Sequence, residues 1–438
     1  VLVIGGGIAG LVTAAFAARA GASVVLLDGR GFGGRGRSDD VGSFRFNQGA
    51  HALCERCELM RALDELGVAV PGGPPSLDIG VIVDGARCRY PTGARSLATT
   101  KAVGTTGRVR TGLLLQSLQM HRGGDPVGRS VDEWLHDRKL PPDAAALVNV
   151  LIRVSTYTNA PDLLDAGAAA VQLRRAIRGV RYLDGGWQTI VDGLQRAATA
   201  AGARLVDHAR VDALARSGDG WVAVTPTDEH PAATVVIAAG GPVVATRLLG
   251  LDAGELGETG PPARAACLDV GLAGPARETV LFSADEPLYW STHMPPARLG
   301  PPGTVVAHAM RYLAPDESLS PDAGRAALWA HARAAGVDVG LDAGAPAVLA
   351  HRYLHGMIAS HGLPLARSGG LAGRPAVAVP GSPGAFLAGD WVGPTGMLAD
   401  AAAASGRRAA ELAVAHARAT AGSPASALSP TSSITRSS

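Results

Sequence analysis

Four short, almost unbroken apolar runs stand out along the chain, at residues 1–4, 23–27, 234–239 and 385–388. Runs of this length, bounded by glycine or a charged residue, read as buried strands. Elsewhere the pattern changes to alanine-rich stretches with helical spacing, over about residues 9–20, 188–201 and 397–416. Strand, glycine turn, helix, Gly21-Ala22 and a second strand make the opening of the chain a βαβ unit. In the middle, Leu205-Val206 and Ala209-Arg210-Val211 are read as one strand, followed by another at 221–225. Further strand patterns at 79–83, 266–272, 304–309 and 348–353 would supply a mixed sheet, while the Pro/Gly-rich stretches 71–75 and 295–303 read as linkers or loops. The longest apolar stretch, 232–251, is broken by Gly240-Gly241-Pro242 and Arg247. It fits strand, turn and helix better than a bilayer-spanning segment.

The first turn carries chemistry. The strand Val1-Leu2-Val3-Ile4 runs directly into Gly5-Gly6-Gly7-Ile8-Ala9-Gly10, a G-x-G-x-x-G fingerprint in its full strand-turn-helix setting. Gly5 permits the tight turn, Gly7 lets backbone approach a pyrophosphate, and Gly10 lets the helix pack close to the sheet. The helix start, with Ile8 and Ala9, then offers free N–H groups and a positive dipole end to phosphate. Asp28 closes the second strand, where a carboxylate can accept hydrogen bonds from ribose hydroxyls. The fold class expected is α/β, with a Rossmann-like dinucleotide-binding domain and an interleaved α+β domain on a mixed sheet.

Three further segments separate flavin from nicotinamide. Gly29-Arg30 leads into Gly33-Gly34-Arg35-Gly36-Arg37-Ser38, and Phe46-Asn47-Gln48-Gly49-Ala50-His51 follows. Near the other end stands Phe386-Leu387-Ala388-Gly389-Asp390-Trp391, continuing through Gly396-Met397-Leu398 into a helix. Between them, Asp184-Gly185-Gly186-Trp187-Gln188 opens a helix that precedes Val211. In this order the segments resemble those of the flavoprotein family that contains amine oxidases, protoporphyrinogen oxidases and phytoene desaturases. The resemblance is strong over residues 1–55, 180–250 and 385–415. Its wording is nearest the phytoene-dehydrogenase-like members, as in "ACLDVGL" from Ala266 and "GDWVGPTGML" from Gly389.

The resemblance implies non-covalent FAD. It assigns Gly33, Gly34 and Arg35 to the diphosphate, Val211 to the adenine and Asp390 to the ribityl chain. Backbone at Met397 and Leu398 would approach the isoalloxazine, and the helix dipole there would stabilise the reduced ring. His51 would lie near the flavin. It also implies an interleaved organisation, with a FAD domain from residues 1–79, 180–264 and 371–418 and a substrate domain from 80–179 and 265–370. Within the latter, Tyr289, Trp290 and His293 are the candidate substrate residues, an aromatic pair beside a polar handle. No catalytic residue is assigned from the sequence.

Composition adjusts this picture only at its edges. A net charge of +2 gives no reason to expect nucleic acid, and Lys101 and Lys139 are the only lysines. Many amine oxidases of the family carry a lysine on a substrate-domain strand, and an aromatic-cage tyrosine where this chain has Leu398. Both departures place amine oxidase second, behind a dehydrogenase acting on an apolar organic substrate, with oxygen, a quinone or another carrier as electron acceptor. A flavin-dependent isomerase or saturase, and a flavin-free prenyl-binding escort protein of the same fold, are the remaining alternatives. The four cysteines argue against a disulfide scaffold, and Cys54 and Cys57 are read as buried or incidental despite their C-x-x-C spacing; no metal site is expected. The chain opens inside a strand without an initiator methionine, so a few native residues are expected upstream. With no signal peptide or spanning segment in view, a cytoplasmic location is expected, with peripheral membrane contact left open, and residues 419–438 are expected to be disordered.

Overall fold

The computed structural model describes residues 1–49, 51–120, 124–252, 254–274, 279–337 and 347–421. Two sheets organise the molecule. The first is a five-stranded parallel sheet, in the order Arg204–Val206, Val25–Leu27, Leu2–Ile4, Val235–Ile237, Ala385–Leu387. Its central strands are in register, Leu2 opposite both Val25 and Val235. Helices cover this sheet, which is why its central strands are uniformly apolar rather than alternating. Ala209–Val211 does not extend the Arg204–Val206 strand as expected. That stretch turns away, and the next strand starts at Ala213.

The first helix, Ile8–Arg19, is buried except at Phe16 and Arg19. Its alanines allow the close approach of the C-terminal helix, Leu398–Ala421. At the crossing, Thr13 Oγ1 donates to Gly406 O at 3.0 Å, and a Cβ on Gly406 would lie 2.5 Å from Ala9 O. The C-terminal helix runs on to Ala421, three residues into the segment expected to be disordered; the remainder of that segment lies outside the described residues.

The second sheet is mixed and seven-stranded, in the order Val348–Ser360, Ala263–Ala273, Thr304–Leu313, Leu288–Met294, Val280–Ser283, Ile79–Val83, Ala86–Arg89. One face packs Ala266, Leu268, Val270, Trp290, Ala307 and Ala309 against Leu328 and Ala332 of the helix Pro321–Ala334. The opposite face is lined by different chemistry. A separate helical group, including Pro142–Thr156 and Ala166–Ile177, packs beside the sheet.

The helix crossing is sensitive to any added volume. Gly406→Val is expected to lower unfolding free energy by about 2–4 kcal/mol, since backbone rather than a flexible side chain opposes the new atoms. Denaturant unfolding followed by circular dichroism measures it, and an unchanged midpoint would contradict this crossing.

Candidate functional site

The glycine turn shows which of its residues serve packing and which face open space. A Cβ on Gly5 (φ +105°) would meet Ala239 N at 2.7 Å, and one on Gly10 would meet Gly5 O at 1.8 Å. Gly7, the N-cap of the first helix, has nothing within 4 Å of its Cβ position and caps the helix with no side chain. The first-turn N–H groups of the Ile8 and Ala9 region therefore start beside open space, as an anion site requires. Asp28 does more than its sequence position suggested. Its Oδ2 accepts from Gly6 N at 2.7 Å, and its Oδ1 accepts from Arg30 N at 2.8 Å and Gly31 N at 2.9 Å, so it clamps both glycine turns. The Arg30 side chain is exposed. Gly29 lies against Arg210, beside buried Val211, and Ala209 N donates to Asp28 O at 2.8 Å.

The second glycine segment is fastened to the first. Gly33 N donates to Gly6 O at 2.6 Å, Gly33 bridges to Gly7, and the Cβ position of Gly34 lies 3.6 Å from Gly7 Cα. Gly33 and Gly34 have φ of +109° and +52°, conformations that favour glycine. Arg35 then reaches across to the other end of the chain. Its Nη1 donates to Asp390 Oδ2 and to Ala359 O at 2.8 and 2.7 Å, and its Nη2 lies 2.9 Å from His361 Nδ1. Asp390 is 3% exposed and also accepts from His361 N at 3.1 Å. Burial pushes its carboxyl upward, but Arg35 and His361 outweigh that and hold it well below the ordinary carboxylate range. Gly49 passes beneath Arg35, where a Cβ would lie 2.4 Å from Arg35 O; Ala50 lies outside the described residues.

The loop after Asp390 is held by two residues that sequence reading missed. Ser405 Oγ accepts from Gly389 N at 2.9 Å. Buried Arg374 donates to Asp390 O at 3.0 Å and to Gly396 O at 2.8 Å, tying both ends of the loop. Met397 is buried, and Leu398 opens the C-terminal helix with a left-handed φ of +54°.

The second face of the mixed sheet brings His51, Tyr289 and His293 together. Tyr289, Ser291 and His293 alternate onto this face, and Trp290 does not. Trp290 is a correction: it packs against the helix Pro321–Ala334 on the far face, where it serves the core. His51 Nδ1 lies 3.1 Å from His293 Nδ1, and the His51 ring stacks 3.8 Å from that of His308. His308 Nδ1 lies 2.7 Å from Asp269 Oδ1, while Arg352 Nε and Nη2 donate to Asp269 Oδ2 at 3.1 and 2.6 Å. Tyr289 and Tyr182 donate to Ser291 Oγ at 2.7 and 3.1 Å, and His51 N donates to Tyr157 Oη at 3.3 Å. Burial raises Tyr182 to about 12, and burial, with repulsion from His308, holds His51 and His293 well below the usual histidine value. The alternation in Leu288–Met294 was the available signal for separating Trp290 from its neighbours.

Cys54 and Cys57 are also a correction, since they form a disulfide at the start of the helix Glu58–Glu65. Beside them, Asp400 Oδ1 accepts from Leu59 N at 3.0 Å, and burial raises the Asp400 carboxyl to about 6.

Three segments are thus fastened to one another: the Gly5–Gly10 turn, the Gly33–Arg35 turn and the Asp390 loop. Open space at Gly7, an uncapped helix start and a cation at Arg35 suit a diphosphate, and the donor set fits a dinucleotide such as FAD. The segment 3–66 matches the family described as NAD(P)-binding Rossmann-like domain. No curated protein matches the chain. Among solved structures, the chain is similar to an oxidoreductase from Methanosarcina mazei, with TM-score 0.74 and 17% identity over 94% of this chain and 99% of that one. It is similar to cyclohexylamine oxidase from Brevibacterium oxydans IH-35A, with TM-score 0.67 and 14% identity over 96% and 99% of the two chains. It is also similar to putrescine oxidase bound to putrescine, with TM-score 0.70 and 17% identity over 94% and 98%. The chain therefore has the Rossmann-like, two-sheet fold of these oxidoreductases.

Asp400 offers a pH-dependent test of the packing at the C-terminal helix. Its carboxyl binds a proton more tightly folded than unfolded, so this group adds stability as pH falls from about 6 to about 4 and withdraws it as pH rises. Asp400→Asn, which keeps an acceptor for Leu59 N, is expected to be about 1–3 kcal/mol more stable than wild type at pH 7. The difference should shrink toward pH 4 in paired denaturant titrations. A pH-independent difference would show that Asp400 is not buried as described.

Proposed function

We propose that the protein is an FAD-dependent oxidoreductase that holds FAD non-covalently and takes a hydride from a small organic substrate seated against the mixed sheet. The observation that carries this reading is the Arg35–Asp390 ion pair, made by a turn that is itself bonded to the G-x-G-x-x-G turn. It joins the segments that this reading assigns to the diphosphate and to the ribityl chain.

In this reading the first-turn N–H groups beside Gly7, with Gly33, Gly34 and Arg35, hold the diphosphate. Asp28 and Val211 border the adenosine, and Asp390 takes the ribityl hydroxyls. Met397 and Leu398 present backbone and a helix start to the ring edge that gains charge on reduction. Bound FAD supplies a ring nitrogen that accepts hydride, and the protein positions the substrate and excludes water. His51, His293 and Tyr289 are the substrate-side residues.

The finer reading is a phytoene-desaturase-like dehydrogenase acting on an isoprenoid or other natural product. It is supported by the motif wording and by the partly exposed side chains Tyr289, Leu354 and Met357 on one sheet face, with Tyr157 packed against them. Amine oxidation is the second reading, favoured by the fold shared with cyclohexylamine oxidase and opposed by the absence of lysine after Lys139. Oxygen, a quinone or another carrier would reoxidise the flavin. We place the protein in the cytoplasm with membrane-surface contact open; among the described residues no helix is long and apolar enough to cross a membrane.

Purified protein should be yellow and should release its flavin on acid precipitation. Gly7→Trp is expected to abolish stoichiometric flavin while leaving the fold intact, because the new ring enters open space rather than protein. Retention of one flavin per chain by Gly7→Trp would refute the placement of the diphosphate. A colourless wild type that cannot be reconstituted with FAD would favour a binding role instead.

A further inference from the structure

The inner face of the mixed sheet carries more buried hydrogen-bonding capacity than its neighbours use. Strand register aligns Arg352, Asp269, His308 and Ser291 as direct cross-strand partners over four adjacent strands. Asp269 is the acceptor in this row, because Arg352 donates twice to its Oδ2. The proton between Asp269 and His308 therefore belongs to Nδ1, so in the neutral ring Nε2 of His308 is a bare lone pair. His51 and His293 share one proton between their Nδ1 atoms, so one of these rings carries Nε2–H and the other a second lone pair. Among the described residues, the Nε2 atoms of His51, His293 and His308 are all buried and without a hydrogen-bond partner. Such orphaned groups cost about 1–3 kcal/mol each, and three in contact mark a site built for something else.

What lies beside them narrows the choice. The next cross-strand row is Leu354, Cys267, Met310 and Tyr289, and beyond it come Met357, Ala265 and Tyr312. Tyr157, Tyr289, Leu354 and Met357 there are partly exposed, so an apolar body could lie along this row with a polar group turned toward the imidazoles. A cation is the other occupant that three imidazoles and a carboxylate suggest, and ligand atoms of His51, Asp269 and His308 do lie within 4.8 Å of one another. The Arg352 guanidinium, already bonded to Asp269, opposes it.

We propose that His308, oriented by Asp269 and Arg352, takes a proton from the substrate, and that the substrate accordingly bears an O–H or N–H on the carbon that is oxidised. This rests on the function proposed above and replaces a bare hydrocarbon with an alcohol or amine on an apolar frame. The O–H or N–H bond breaks, its proton joins Nε2 of His308, and its electron pair closes a C=O or C=N bond. The hydrogen of the C–H bond leaves with the bonding pair as hydride, for which bound FAD would be the acceptor, so the substrate loses two hydrogens and two electrons. His51 and His293, held well below the usual histidine value by burial and by His308, add no competing positive charge.

The test uses FAD-loaded protein labelled with 15N in its histidine rings, with benzyl alcohol, benzylamine and toluene as probes of equal bulk. His308 is expected to show the Nδ1–H tautomer, and its Nε2 resonance should move with the alcohol or the amine but not with toluene. His308→Gln should keep its flavin and slow anaerobic flavin bleaching by the responding probe at least about 100-fold. A wild-type Nε2–H tautomer, an Nε2 signal indifferent to all three probes, or stoichiometric metal that His308→Gln loses would each overturn the proposal. The NMR arm needs no variant to fold. Yellow protein with an unresponsive His308 defeats this inference alone, whereas protein that never holds flavin defeats the functional reading beneath it.

Discussion

The pairing of Arg35 with Asp390 is the constraint on which the site depends. Asp390 sits at the end of the Ala385–Leu387 strand, buried, with its backbone and side chain engaged by residues from three other parts of the chain. A carboxylate left in such a place without its cation costs several kcal/mol, so the fold cannot keep this loop and lose Arg35 without consequence. Arg35 in turn can reach Asp390 only because Gly33 and Gly34 adopt positive φ and lie against Gly6 and Gly7. A phosphate-binding turn, a charged side chain and a distant loop are therefore one mechanical unit. His361, at the end of the longest strand of the mixed sheet, touches the same pair, which carries the coupling into the second sheet.

That second sheet solves a different problem. One of its faces buries a large apolar cluster beneath a helix, which offsets the burial of less favourable groups on the other face. The Arg352–Asp269–His308 row shows how the unfavourable term is contained. Asp269 is paired with Arg352, which also anchors to Asp39 and to Asn47 O, and burial holds His51 and His293 well below the usual histidine value. Asn47 precedes His51 by four residues, so the same arginine positions the segment that brings His51 onto the sheet.

What could be read from the sequence was whatever rests on neighbours in the chain. A glycine turn, a strand-ending aspartate and a helix start are local, and the runs at 1–4 and 385–388 announced their strands. The polar row was not legible, because its four members come from separate strands and meet only through pairing register. Nothing in the residues near Asp269 or Arg352 indicates that they face each other. Trp290 shows a different failure: strand alternation was enough to separate it from Tyr289 and His293, but chemical similarity grouped it with them. Asp28 was assigned to a ligand, and its bonds to its own glycine turns were not foreseen. The cysteines were judged from their number, although a three-residue separation across a strand end and a helix N-cap brings the sulfurs together.

Among the described residues, five non-glycine residues take a positive φ, Asp84, Lys139, Tyr157, His208 and Leu398, and two of them adjoin the site residues His51 and Met397. Tyr157 and Leu398 are both non-glycine residues in the left-handed region, a conformation that costs about 1–3 kcal/mol and persists only where surroundings over-determine it. Tyr157 closes the helix Pro142–Thr156 and sets its hydroxyl against His51 N. Leu398 begins the C-terminal helix, and its surroundings are fastened from two sides. Arg374 grips Gly396 O just before it, and Asp400 just after it accepts from Leu59, whose helix starts at the Cys54–Cys57 disulfide. Each has a structural role as well: Tyr157 N donates to Arg153 O at 2.7 Å to end its helix, and Leu398 packs against the cluster that contains Leu164 and Leu173.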